Sequence, residues 1–229
     1  MPTIVAMGGG GFSMEPENPL LDDFVLSLTG RERPSVSFVG TASGDSEDYR
    51  GRFYAAFPEA RAAATHLPLF RCTVPDVRAH LLAQDVIYVG GGNTANLLAV
   101  WRVHGVDEAI REAYAAGVIL AGVSAGMICW FEESLTDSYG PVAPLKGGLG
   151  LIRGSACPHY DGEADRRPAY RRLVASGALI PGVAADDGAA LVYRGGELTE
   201  AVSSRPDAGA WLLDADARET PISVRYLGD

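Results

Sequence analysis

Short, continuously apolar runs recur through the first half of the chain, at residues 3–7, 35–40, 62–67, 86–89 and 118–121, and each reads as a strand. The segments between them carry apolar residues at helical spacing. They predict helices at residues 19–28, 49–56, 74–83, 94–103 and 106–116, the last closed by Gly117 as a C-cap. Alternation of strand and helix is the rhythm of an α/β fold, and strands without polar alternation imply a sheet covered on both faces. Glycine-rich loops follow the strands: Gly8 to Gly11, Thr41 to Gly44, and Gly90 to Thr94. In an open parallel sheet these strand ends form the edge where ligands bind.

The last third changes character. Residues 189–193, the turn Arg194-Gly-Gly-Glu197 and residues 198–203 read as a β-hairpin, with further strands at 211–214 and 222–226. No linker-like stretch or internal repeat interrupts the chain, so residues 1–229 are expected to form a single domain. The expected fold class is α/β: a mostly parallel sheet with helices on both faces and a C-terminal β-hairpin extension.

Composition narrows what such a fold does. The 229 residues are 47% hydrophobic, enough for a substantial core. The formal net charge is −10 with no concentrated Lys/Arg block, which argues against nucleic acid as a partner. No run reaches membrane-spanning length, and the N-terminus lacks the basic and apolar regions of a secretory signal, so a cytoplasmic protein without a membrane partner is expected. Three cysteines without CxxC spacing suggest neither a disulfide framework nor a zinc site. None of the glycine loops fits a dinucleotide or P-loop fingerprint, and the serine chemistry read below requires no metal or organic cofactor, so none is expected.

The chemistry centres on Gly122-Val-Ser124-Ala-Gly126, where a serine follows an apolar strand and precedes the helix-like residues 127–131. A tight strand-to-helix turn raises the hydroxyl above the sheet edge and demands small neighbours. The plain structural alternative is a glycine turn kept for close packing. A serine nucleophile needs a base, and there are four histidines. His66, His80 and His104 have ordinary structural explanations, whereas His159 begins a polar loop after a strand predicted at residues 149–153. For the acid that orients the base, Asp137 is preferred because it falls where the chain can turn back along the sheet edge. Glu132 and Glu133, on or just beyond the helix, are the alternatives. Stabilising the oxyanion calls for two donors. The Ala125 N–H is one, and Gly91 and Gly92 suit the other, unless that loop is only a helix cap made by Asn93 or Thr94. Basic residues after His159, with Arg166 and Arg167 nearest the loop, suggest capture of a carboxylate.

The ordered set Val89-Gly-Gly-Gly-Asn-Thr94, Gly122-Val-Ser-Ala-Gly126, Thr136-Asp137-Ser138 and Pro158-His159-Tyr160 resembles the peptidase E family of serine peptidases over nearly the whole chain. The resemblance implies a class I glutamine amidotransferase-like fold with serine in place of cysteine, and hydrolysis of dipeptides with N-terminal aspartate. It implies Ser124 as nucleophile, His159 as base, Asp137 as acid, Gly92 and Asn93 in the oxyanion and substrate loop, and Arg166 holding the aspartyl side chain. Two departures matter: the segment 161–166 is shorter than in enteric members, and Asp137 lies closer to the serine. Cyanophycinase relatives use a glutamate, which keeps Glu132 and Glu133 open. The expected partner is a small peptide substrate, and a homodimer is left open. A cyanophycinase-like acyl hydrolase and a noncatalytic small-molecule binding protein are the competing readings.

Overall fold

The structure is a computed structural model and describes residues 1–228. Five parallel strands form its centre: β1 (Thr3–Met7), β2 (Ser35–Val39), β3 (Ala63–His66), β4 (Val86–Val89) and β5 (Ile119–Val123). Helices α1 (Gly11–Met14), α2 (Leu20–Ser27), α3 (Glu47–Ala56), α4 (Val77–Leu82), α5 (Thr94–His104) and α6 (Val106–Ala116) connect them, and α7 (Ala125–Ile128) follows β5. Each predicted helix and strand of this half is present, with ends shifted by a few residues.

Although β4 and β5 are apolar or glycine throughout and β1 nearly so, their side chains divide by a period of two. Ile4, Ala6, Ile87, Val89 and Leu120 face one way, onto α5 and α6 with Trp101 and Ile110. Val5, Met7, Val86, Tyr88, Ala121 and Val123 face the other, onto α2 and α3 with Leu21, Val25 and an aromatic cluster of Phe12, Phe38, Tyr49, Phe53 and Phe57. That is the two-sided burial a continuous apolar strand requires.

The remaining strands are β6 (Phe131–Thr136), β7 (Ala143–Lys146), β8 (Ile152–Cys157), β9 (Gly182–Ala185), β10 (Ala189–Arg194), β11 (Glu197–Ser203), β12 (Ala210–Leu213), β13 (Glu219–Ile222) and β14 (Val224–Tyr226), with α8 (Arg166–Ala175) after β8. The predicted hairpin exists as β10 and β11, turning at Gly195 and Gly196, and β10 joins the central sheet antiparallel to β1. That sheet has eight strands in the order β14-β11-β10-β1-β5-β4-β2-β3. The strands expected at 149–153 and 211–214 correspond to β8 and β12, but they lie in a second sheet, β13-β12-β9-β8-β6-β7, and not in an extension of the first. This second sheet packs Trp130, Phe131, Ile152 and Val183 into the same core as α5 and α6, while α8 covers its other face through Tyr170 and Val174. The helix expected over residues 127–131 stops at Ile128, and Glu132 and Glu133 lie on β6 instead.

One buried acid marks the underside of the β1 exit. Asp22 on α2 is 1% exposed and accepts a hydrogen bond from the Tyr88 hydroxyl at 3.0 Å. Burial raises its pKa to about 6, against the opposing pull of the Tyr88 hydrogen bond and Arg61. Because the folded-state value lies above the ordinary carboxylate value, the contribution of Asp22 to stability is most favourable in acid and falls as pH rises from about 4 to about 6. Asp22→Asn removes the buried charge, so its advantage over wild type in urea melts should grow between pH 4 and pH 7.5, reaching at most about 3 kcal/mol. An advantage that is constant across that range would contradict this account.

Candidate active site

The exit of β1 organises the site. The Met7 carbonyl accepts the Ser124 N–H at 3.0 Å, the Gly8 carbonyl accepts the His159 N–H at 3.2 Å, and the Gly9 carbonyl accepts the Gly188 N–H at 3.1 Å. Three consecutive carbonyls thereby anchor the end of β5, the loop after β8 and the link between β9 and β10. The serine comes from the central sheet and the histidine from the second sheet. Between the sheets, the crossing chain carries Asp187.

Ser124 sits at the turn between β5 and α7 with φ +58° and ψ −112°, an unfavourable conformation for a residue with a Cβ. Close packing enforces it. A Cβ at Gly122 would meet the Gly126 carbonyl oxygen at 2.2 Å, and one at Gly126 would meet the Val89 carbonyl oxygen at 2.2 Å. The small residues of the motif are therefore required by backbone approach.

The Ser124 Oγ lies 2.8 Å from His159 Nε2, and His159 Nδ1 lies 2.6 Å from Asp187 Oδ1. An ionised carboxylate only accepts, so the Nδ1 proton faces Asp187 and Nε2 is left to accept the serine proton. His159 and Asp187 are each 9% exposed. His159 also adopts a positive φ, +50°. The Asp187 carboxylate is closed in by glycine: a Cβ at Gly9 would lie 1.9 Å from its Oδ1, and one at Gly162 would lie 2.3 Å from its Oδ2. Its backbone N–H donates to Asp161 Oδ1 at 2.9 Å. Next to it, Asp186 accepts the Gly209 N–H at 2.9 Å, and burial raises its pKa to about 6.

This geometry corrects the choice of acid. The carboxylate in contact with His159 is Asp187, which the sequence reading did not single out, and not Asp137. Asp137 instead faces Arg166 at 3.6 Å. Glu132 accepts the Gly154 N–H, and Glu133 accepts the Ile180 N–H and pairs with Lys146. The candidates Asp137, Glu132 and Glu133 all lie within 13 residues of the serine, whereas the partner lies 28 residues beyond His159. Asp186-Asp187-Gly188 between two apolar strands was the available signal, an acid at a strand end on the side where the glycine loops gather.

Arg166 is also placed differently from expectation. It is buried, with Nε bonded to Glu163 at 2.6 Å and a terminal nitrogen donating to the Leu135 carbonyl at 3.3 Å. Two carboxylates already neutralise this guanidinium, so it can receive a further one only where the looser partner, Asp137, gives way. Arg167, the other arginine nearest the loop, is ion-paired to Glu219 and stacked on Tyr160 and Trp211.

In the loop after β4, Asn93 serves as the helix cap. Its Oδ1 accepts the Asn96 N–H at 2.8 Å and its amide nitrogen donates to the Ser138 carbonyl at 2.9 Å, so each end of the side chain is held by the protein. The Gly91 N–H is donated to the Tyr49 hydroxyl at 3.1 Å, although Gly91 itself lies against Ser124. Gly92 follows with φ +135°, packed against the Ala42 carbonyl, and α7 begins at Ala125. Of the other histidines, His80 bonds Ser37 and His66 bonds Tyr54, in keeping with structural roles.

A serine, a histidine and an aspartate joined in series at the carboxyl edge of a parallel sheet form the arrangement found in nucleophilic hydrolases. The chain is a peptidase: residues 4–201 match the family model of Peptidase family S51, and the chain belongs to that family. It is 51% identical over 231 residues to the uncharacterized peptidase YgaJ of Bacillus subtilis (strain 168), a match that covers all of both chains. Peptidase E of Streptomyces coelicolor is 29% identical over 127 residues, 55% of this chain and 51% of that protein. The crystal structure of a peptidase from an acI-B1 Actinobacterium superposes with a TM-score of 0.74 at 19% identity, covering 98% of this chain and 95% of the other, a likeness of fold. The resemblance read from the ordered motifs and the α/β class both hold. No helix among the described residues is long and apolar enough to cross a membrane.

Proposed function

We propose that the chain is a serine peptidase that hydrolyses short peptides, above all dipeptides with N-terminal aspartate, through an acyl-enzyme on Ser124. The hydrogen-bonded series from Ser124 Oγ through His159 to Asp187 carries this reading. The Ser124 oxygen attacks the carbonyl carbon after the first residue while His159 Nε2 takes the hydroxyl proton. The negative charge on the former carbonyl oxygen faces the N–H groups of Ala125 and Gly92. Collapse breaks the C–N bond, and His159 returns its proton to the leaving amine. Water, deprotonated by the same nitrogen, then hydrolyses the ester and restores the serine. Asp187 holds the imidazole in the required tautomer and balances its charge when protonated.

The preference for aspartate rests on the family relation and on the one loose contact of Arg166. Asp137, its partner at 3.6 Å, is 56% exposed, so a substrate carboxylate can take its place without disturbing the bond to Glu163. A dipeptide panel tests the reading. Asp-X should be cleaved at least about tenfold faster than Ala-X, a difference equivalent to one charge-assisted hydrogen bond. Equal rates would refute the preference, and cleavage of β-aspartyl-arginine in place of Asp-X would favour the cyanophycinase-like alternative.

A further inference from the structure

We propose that Tyr49 is a positioning residue for the oxyanion loop, its hydroxyl holding Gly91 so that the next peptide N–H, that of Gly92, faces the carbonyl attacked by Ser124. The proposal rests on the functional reading above and adds to it a residue from α3, remote in sequence from every motif.

The loop after β4 contains Gly90, Gly91 and Gly92, and such a run has no side chains to fix its peptide planes. Its orientation must come from outside. On the far side, Asn93 N–H is held by the Ala42 carbonyl at 2.8 Å. On the near side, Gly90 N–H is held by the Val39 carbonyl at 3.1 Å, and the Tyr49 ring packs so closely that a Cβ at Gly90 would lie 3.0 Å from its edge. Between these anchors, the hydrogen bond from Gly91 N–H to the Tyr49 hydroxyl fixes the peptide that precedes the donor. Gly91 is itself against the nucleophile: a Cβ there would be 3.2 Å from Ser124 Cβ and 3.6 Å from Oγ. A rotation of this peptide therefore changes the geometry at the reacting carbonyl directly.

Tyr49 is built to hold still. It is 5% exposed, stacked edge-on to Phe38 at 5.1 Å and tilted against Phe12 at 5.6 Å, with the Arg52 guanidinium 4.7 Å from its ring centroid. Its hydroxyl donates to Ser13 Oγ at 2.7 Å, which directs the oxygen lone pairs towards Gly91. Burial raises its pKa, so the phenol stays protonated and keeps this one-in, one-out pattern. Ser13 lies on α1, directly after the β1 exit that anchors Ser124, His159 and Gly188, so the hydroxyl ties the donor loop to the same frame.

The test is Tyr49→Phe in the full chain, with kcat and KM for an Asp-X dipeptide and the affinity of a peptide boronate that forms a tetrahedral adduct with serine. Loss of a whole oxyanion donor costs about a hundredfold or more in kcat; a donor left in place but freed to rotate should cost about tenfold. The expected result is a kcat reduced about tenfold, KM within about twofold, and boronate affinity reduced in step with kcat. Ser13→Ala, which leaves the Gly91 contact, should lose less. Unchanged kcat in a folded Tyr49→Phe protein, or kcat and KM worsening together without loss of boronate affinity, would overturn the proposal. Should the phenylalanine variant fail to fold, a ring-fluorinated tyrosine at position 49 keeps the packing and weakens the oxygen as acceptor. It should lower kcat in graded fashion, and an unchanged kcat would again overturn the proposal. Failure of the underlying reading looks different: wild type would then hydrolyse no peptide, or Ser124→Ala would hydrolyse as well as wild type.

Discussion

Replacing Ser124 with alanine should lower kcat for an Asp-X dipeptide by about a millionfold, to the level supported by binding and the remaining donors alone. The expectation follows from geometry that no neighbouring group can reproduce. The hydroxyl is presented by a strained turn at φ +58°, within 2.8 Å of the base, and the turn survives only because Gly122 and Gly126 let backbone approach backbone. Alanine fits the same conformation with the same Cβ, so the variant should fold and bind substrate with a similar KM. Steady-state kinetics on the purified variant checks the rate, and mass spectrometry after treatment with a serine-directed phosphonate checks the chemistry. Wild type should gain one adduct at Ser124 and the variant none. Substantial turnover by the alanine variant would remove the acyl-enzyme from the mechanism.

Asp187→Asn should be the next most damaging change, lowering kcat by about ten thousandfold. Asparagine keeps the size of the side chain between Gly9 and Gly162, where nothing larger is tolerated. What changes is the proton balance. An amide that turns its NH2 towards Nδ1 favours the imidazole tautomer protonated on Nε2, which cannot accept from Ser124, and no charge remains to stabilise the imidazolium. By contrast, Asp137→Asn, Glu132→Gln and Glu133→Gln should each leave kcat within about tenfold of wild type, since their contacts are with Arg166, with backbone N–H groups and with Lys146. Comparing the four variants at saturating substrate separates the carboxylates. A collapse confined to Asp137→Asn would return the role to that residue.

The contrast between Asp137 and Asp187 shows how far local pattern reaches. The strand-to-helix turn at Ser124 is a local object: an apolar strand, a run of small residues and a helix start are adjacent in sequence, so the nucleophile could be read directly. His159 was readable because it opens a loop at a strand end. Asp187 is brought in by a chain that leaves one sheet and enters another, and strands read singly, such as 149–153 and 211–214, carry no sign of which sheet they join. The strands of the second sheet are short, several mix exposed and buried positions, and β6 directly follows a single turn of helix, so residues 127–131 read as a helix with Glu132 and Glu133 on or just beyond its end. The supporting contacts were equally invisible. Asn93 and Arg166 have the right chemistry for substrate binding, yet the cap of α5 and the carboxylates of Asp137 and Glu163 occupy them.

By itself, the sequence determined the parallel α/β half, the C-terminal hairpin, the serine turn and the histidine, because each depends on periodicity or turn chemistry within a few residues. Tertiary contacts alone put Asp187 and not Asp137 on the histidine, engage Asn93 and the Gly91 N–H within the protein, and set Arg166 against Asp137 and Glu163. Those outcomes depend on two sheets meeting at the exit of β1, where the carbonyls of Met7, Gly8 and Gly9 hold three distant segments together. Hydrogen bonds between segments so far apart in the chain leave no periodic trace in the order of residues.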